Sequence, residues 1–157
     1  MEIINRDTTQ ANGSSPSIRW LLGQIKNTEG VATGEIISTI RPQDILADAL
    51  KQELSAAGYQ ASISKEINNN TGKRVVLTDI SVQLDETPSL TKLESTCTIL
   101  LKLKLWKSGA VVKHSEYRSK LSDIAVIDRD QLPGNLYQKA IQETIQQAVP
   151  DIIRLLN

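Results

Sequence analysis

The stretch ILLKLKLWKSGAVVKHSEYRSKL, residues 99–121, contains six Lys/Arg and one Glu in a chain of zero net charge. Apolar and polar residues alternate on both sides of Lys107-Ser108-Gly109, the period-two pattern of strands half-buried in a sheet. A three-residue hairpin loop favours glycine in its last position, where φ is positive, so Gly109 predicts such a loop. Leu105 then faces Val111, Leu101 faces Ser115 and Ile99 faces Tyr117. On the other side Lys104 faces Val112, Lys102 faces His114, Leu100 faces Glu116 and Thr98 faces Arg118. One face is mainly apolar, with Lys113 as its exception near the tip, and the other is mainly charged. A two-residue Ser108-Gly109 loop would set Leu103 against His114 and Lys104 against Lys113, a like-charge pair that disfavours it.

The flanking sequence extends this sheet. Residues 93–106 and 110–121 read as its long strands. RVVLTDISVQL, residues 74–84, alternates with Val76, Ile80, Val82 and Leu84 on one side. Tyr59, Ala61, Ile63 and Ile67 alternate before a turn at 68–72, and residues 18–25 form a first short strand. Residues 26–40, with Gly30 and Gly34, read as a long loop, and 85–92 as a loop broken by Pro88. RPQDILADALKQELSAAGY, residues 41–59, predicts a helix. Pro42 suits its first position, Asp44 complements the dipole, and Gly58 closes it as a left-handed cap. Leu46, Ala49, Leu50, Leu54 and Ala57 form its apolar face. A second helix carries Tyr137, Ile141, Thr144, Ala148, Ile152 and Leu155 as a stripe, and Pro150 should kink or divide it.

The expected fold is α+β. A mainly antiparallel sheet of four to five strands carries two helices on one face, in the order β-α-β-β-β-β-α. Residues 1–17 read as a flexible polar leader and 18–157 as a single domain.

Composition removes several functions. The 157 residues include no Phe, two Trp and three Tyr, so the core must be aliphatic. Eighteen basic residues balance eighteen acidic ones. That balance and the scarcity of aromatics argue against a nucleic-acid binder. No apolar run approaches the roughly 20 residues of a membrane span. Met1 is followed by polar sequence without a signal-peptide pattern. The chain therefore reads either as cytoplasmic or as a mature protein whose leader has been cut away. Cys97 is the single cysteine and His114 the single histidine, too few for an internal disulfide or a His/Cys zinc site.

The candidate interaction surface is the charged hairpin face: Lys102, Lys104, Arg118 and Lys120, with Trp106, Lys107 and Lys113 near the tip. His114 and Glu116 interrupt it. Such a face either binds an anion, nucleic acid or acidic lipid, or is a solvated face whose lysines guard the edge. The second reading is preferred. Trp106 is either a partner anchor or packed beneath the adjacent loop, the packed reading being preferred. Trp20 is expected in the core and Tyr137 in helix packing. GVATGEI lacks the Lys-Ser/Thr of a phosphate loop. Asp123, Asp128 and Asp130 lack EF-hand spacing. His114 on an open face lacks the shelter that a catalytic base needs. No catalytic, cofactor or metal residues are therefore expected, and the protein reads as a non-enzyme.

LLGQIKNTEG, DILADALKQELSAAGYQ, LKLWKSGAVVKHSEYRSKL and LYQKAIQETIQQAVPDIIRLL together resemble the YajG-like bacterial envelope lipoproteins. More distantly they resemble small α+β auxiliary lipoproteins of envelope transport systems. The resemblance spans about residues 19–155. It implies a non-catalytic periplasmic accessory or binding protein, tethered to the outer membrane through a lipidated cysteine that would stand upstream of Met1. It implies another envelope protein or a transport or assembly complex as partner, with a homodimer as an alternative. It supplies no catalytic residues and no cofactor.

Overall fold

The structure, a computed structural model, describes residues 1–5, 19–66 and 72–157. Among the described residues, seven strands and two helices follow one another as β1 (Glu2–Ile4), β2 (Trp20–Lys26), β3 (Ala32–Ser38), α1 (Pro42–Ala56), β4 (Ser62–Ser64), β5 (Arg74–Pro88), β6 (Leu93–Lys107), β7 (Ala110–Ala125) and α2 (Leu132–Leu156). A short 3-10 turn at Arg129–Gln131 leads into α2.

The α+β class stands, but the sheet is mixed rather than mainly antiparallel, and has more strands than expected. β5, β6 and β7 form an antiparallel meander. The other edge of β5 is shared. Its start pairs in parallel with β1, and Glu86 near its end pairs in parallel with Ile25 of β2. β4 continues beyond β1 in parallel, and β3 beyond β2 antiparallel.

Two strands escaped the sequence pattern, each for a physical reason. Glu2–Ile4 is too short to show a period, yet Ile3 and Ile4 are fully buried, so this part of the expected leader belongs to the sheet. Residues 6–17 of that leader, Ile67 and positions 68–71 of the expected turn lie outside the described residues. β3 occupies the expected long loop. Gly30 serves a turn at φ 81°, and the Asn27 side chain accepts the N–H groups of Glu29 and Val31 at 3.0 and 2.9 Å. The chain thus reverses within a few residues and pairs with β2.

The hairpin corrects the expected loop. Its turn has two residues, Ser108 at φ 54° and Gly109 at φ 81°, both positive as a type I′ turn requires. Lys107 pairs with Ala110 and Trp106 with Val111. The register then shifts, so that Leu105 pairs with Lys113, Leu103 with Ser115 and Leu101 with Tyr117. Val112 is the additional residue of a bulge. A two-residue turn without it would oppose Leu103 and His114, mixing the faces. The bulge restores the phase, so the faces separate as expected although each partner differs. Leu101 and Leu103 are buried, at 0% and 1% exposure.

A second bulge, at Thr78, lies in β5 between Leu77 and Asp79. It turns Val75 and Leu77, then Ile80, Val82 and Leu84, toward the same side. Val76 consequently points to the opposite face, not inward as expected, and is nevertheless buried there with Ile4. That face is therefore not open to solvent along its whole length.

Both helices pack on the inner face, in one aliphatic core. α1 ends in a Schellman motif: Gly58 at φ 91° donates to Ser55, and Tyr59 donates to Leu54. Leu46, Ala47, Leu50 and Leu54 are buried, whereas Ala57 is exposed. α2 runs unbroken through Pro150, correcting the expected division. Pro150 is exposed, so the carbonyl left without its helical donor can turn to water. Thr144, fully buried on α2, hydrogen bonds to the Ala140 carbonyl and to Ser119 of β7 at 2.8 and 2.9 Å.

Gly23 lets β2 approach β5. A Cβ at this position would stand 1.6 Å from the Leu84 carbonyl oxygen. Gly23→Ala is expected to lower stability by about 3 kcal/mol or more, because backbone must move to admit the methyl group. The urea midpoint of the variant against the parent measures this.

Candidate functional site

β6 and β7 carry Lys102, Lys104, His114, Arg118 and Lys120 on the face away from the helices. Lys104 pairs with His114, and Lys102 with Glu116. The structure therefore keeps these five residues, and Trp106 with them, on one face, but it interleaves acids among them. Lys102 Nζ lies 3.7 Å from Asp79 Oδ2, and an Arg118 guanidinium nitrogen lies 3.9 Å from Glu116 Oε1. These are long, solvated pairs, each worth at most about 1 kcal/mol.

Lys107 departs from the set. Its odd position directs it to the helix side, where Nζ donates to the Asn157 carbonyl at 2.7 Å, just past the end of α2. Lys113, opposite Leu105, shares that side. Trp106 lies on the outer face between Arg74 of β5 and Val111 of β7, half-buried, with no hydrogen-bond partner for its buried indole N–H among the described residues. Its neighbour Arg74 is 5% exposed and has Nε 3.2 Å from Glu2 Oε2.

A buried polar cluster ties β1 to α1. Arg41, 7% exposed, donates from Nε and Nη2 to Asp44 Oδ1 at 3.2 and 2.7 Å, and from Nη2 to Asn5 Oδ1 at 3.2 Å. Asn5 Nδ2 donates to the same Asp44 oxygen at 2.8 Å. The Arg41 hydrogen bond, aided by Asn5, holds the Asp44 carboxyl below its usual range against the opposing effect of burial. At Asp85, burial opposes ionisation. Hydrogen bonds from Gln83, the Gln24 N–H and Lys26 outweigh it, and its pKa too is lowered. These are structural assignments, since each acid is committed to neighbours that hold the chain in place.

The remaining perturbed groups are explained by burial. Desolvation raises Glu86, pushes Cys97 up to about 11 and pushes Tyr137 up to about 12. It also raises Tyr117, whose hydroxyl donates to Asp151 Oδ2 at 3.2 Å and joins β7 to α2. Trp20, expected in the core, is half-buried beside a cleft of about 370 Å³ that Arg41, Ile80 and Val82 also line. Among the described residues no group of three His, Cys, Asp or Glu could hold a metal ion, and no helix is long and apolar enough to cross a membrane. The sequence pattern did not single out Leu90, Val126 and Ile127, which the structure leaves exposed. Their signal was aliphatic residues set within segments of Pro, Ser and Asp.

No family model and no curated protein matches the chain. Solved structures do. A minor lipoprotein from Acinetobacter baumannii aligns with a TM-score of 0.54 at 15% identity, over 83% of this chain and 90% of that one. The two share a fold. Rare lipoprotein B from Shewanella oneidensis aligns at 0.37 and 11% identity over 84% and 90% of the two chains. A Xanthomonas campestris protein aligns at 0.44 and 12% identity over 95% and 92%. These two scores are too low to add to the fold assignment.

The polar cluster and the buried thiol each lead to an expected outcome. Asp44 is depressed in the folded state, so its contribution is present above its ordinary value of about 3.9 and is lost as pH falls through the folded value. Asp44→Asn should lower stability near neutral pH by about 1 kcal/mol, discounted for the half-exposed carboxylate, and flatten the acid limb of the stability profile measured by urea unfolding. Cys97 should resist a thiol-specific disulfide reagent at mildly alkaline pH until the protein is unfolded, when it should react at once; fast reaction of the native protein contradicts its burial.

Proposed function

We propose that this chain is the folded domain of a bacterial envelope lipoprotein with a non-catalytic accessory or binding role. The shared fold with the Acinetobacter baumannii minor lipoprotein, nearly end to end in both chains, carries this reading. The resemblance of the helix and hairpin segments to YajG-like lipoproteins supports the same class. In this reading a lipidated cysteine upstream of β1 tethers the domain at the periplasmic face of the outer membrane, and another envelope component is its partner. The competing reading, an anion-binding module on the hairpin, draws less support. Glu116 and Asp79 stand among the cations, and Lys107 faces the other side.

Metabolic labelling with palmitate in the organism that encodes the chain tests the proposal. The product of the native gene should carry label and fractionate with membranes, and substitution of the acylated cysteine should abolish both. An unlabelled product in the cytosolic fraction would overturn it.

A further inference from the structure

Three connections meet at one end of the sheet. Ile25 of β2 lies beside Glu86 of β5, and Leu93 pairs with Ala125. The turn after β2, the turn after β5 and the loop after β7 are therefore neighbours, at the end opposite the Ser108-Gly109 turn. Each exposes large aliphatic side chains: Val31 by 56%, Leu90 by 101%, Val126 by 65% and Ile127 by 79%. Isolated exposed aliphatics are ordinary, but a group of them marks an interaction site.

These tips are also fastened. Arg129 donates from Nε to the Val126 carbonyl at 3.2 Å, from Nη1 to the Ser89 carbonyl at 3.0 Å and from Nη2 to the Leu90 carbonyl at 3.3 Å. One guanidinium thus joins the Leu90 turn to the Val126–Ile127 loop. The Asn27 side chain orders the third turn in the same manner. Holding apolar groups in place before contact reduces the entropy lost on binding.

Charge selects the occupant. Glu29 stands two residues before Val31, while Asp128 and Asp130 come closely after Ile127. Two neighbouring cations are balanced by acids, Lys26 3.3 Å from Asp85 and Lys92 2.6 Å from Glu94, and Arg129, which keeps its charge while it holds the carbonyls, is outnumbered by Glu29, Asp128 and Asp130. The tips therefore stand within a negative collar. An anionic lipid surface repels such a collar. An apolar protein hollow ringed by Lys and Arg attracts it, because complementary charge steers and registers an interface. We infer that this end docks into a partner protein that offers an apolar hollow with a basic rim. The inference extends the accessory-protein reading and rests on its partner-binding half alone, not on the lipid anchor.

Photocrosslinking in cells of the encoding organism tests it, with benzoylphenylalanine at Leu90, at Ile127 and, as a control, at exposed Lys51 of α1. Both tip positions should give one common adduct that Lys51 does not. The linked partner peptide, mapped by mass spectrometry, should carry aliphatic residues flanked by Lys or Arg. Glu29→Lys with Asp130→Lys should cut the adduct yield about tenfold. Glu29→Gln with Asp130→Asn should cut it less, and this pair serves as the readout if the lysine pair fails to fold. No adduct, an equal adduct from Lys51, or a yield indifferent to charge overturns the inference. Flotation of the purified chain with phosphatidylethanolamine–phosphatidylglycerol vesicles, abolished by Leu90→Ser with Ile127→Ser, overturns it in favour of a membrane. A charge-sensitive adduct from an unlipidated chain removes only the anchor, and a lipidated chain without an adduct removes only the docking surface.

Discussion

Cys97, Ile99, Leu101, Leu103 and Leu105 form one aliphatic row on β6, and every layer of the protein is arranged around it. All five are at most 1% exposed. Full burial of such a side chain is worth about 1.5–3 kcal/mol, so a strand slipped by one residue would forfeit several of these contributions together. Both neighbouring strands meet that requirement by bulging. Val112 in β7 and Thr78 in β5 are each the additional residue of a bulge, which keeps the aliphatic rows of β5 and β6, with Tyr117, Ser119 and Leu121 of β7, beneath the helices. Thr78 Oγ1 also donates to the Lys102 carbonyl at 3.0 Å, giving the bulge a local hydrogen bond.

β5 transmits this order to the rest of the sheet. One edge is wholly committed to β6, while the other receives β1 near its start and β2 near its end. The two parallel contacts have different causes. β1 is held by fully buried Ile3 and Ile4 and by the Asn5–Arg41–Asp44 cluster at the start of α1. β2 is admitted because Gly23 has no side chain to strike the Leu84 backbone.

The polar interior of the protein is structural. Thr144 meets Ser119 between α2 and β7, Tyr117 meets Asp151 nearby, and burial suppresses ionisation of Cys97 and Tyr137. The two ends of the sheet differ in character. Around the hairpin, cations and acids alternate in water. At the other end, fastened aliphatic tips stand among acids. The two ends thus present surfaces of different chemistry.

α1, with its proline start and glycine cap, most of β5, β6 and β7, and the Ile141, Thr144, Ala148 and Ile152 part of the α2 face were legible in the amino-acid sequence, whereas residues 85–88, read as loop, belong to β5, and Leu136 and Leu156 rather than Tyr137 and Leu155 are buried toward the ends of the α2 face. Each legible element rests on interactions between near neighbours, whose periodicity the sequence records directly. The separation of Leu101 and Leu103 from Lys102 and Lys104 was legible for the same reason. The two-residue turn with its bulge was not, because the choice between turns depended on how β6 and β7 share a buried face. Nor were β1 and β3 legible, since three residues show no period and an edge strand broken by glycine resembles a loop. The same limit explains the site. Alternation put Lys102, Lys104, His114, Arg118 and Lys120 on one face, but Lys107 left that face, and Leu90 and Ile127 came together, through contacts between distant segments. Local order is written along the chain, whereas parallel pairing, bulge positions and the meeting of three loops arise from burial shared among residues far apart in sequence.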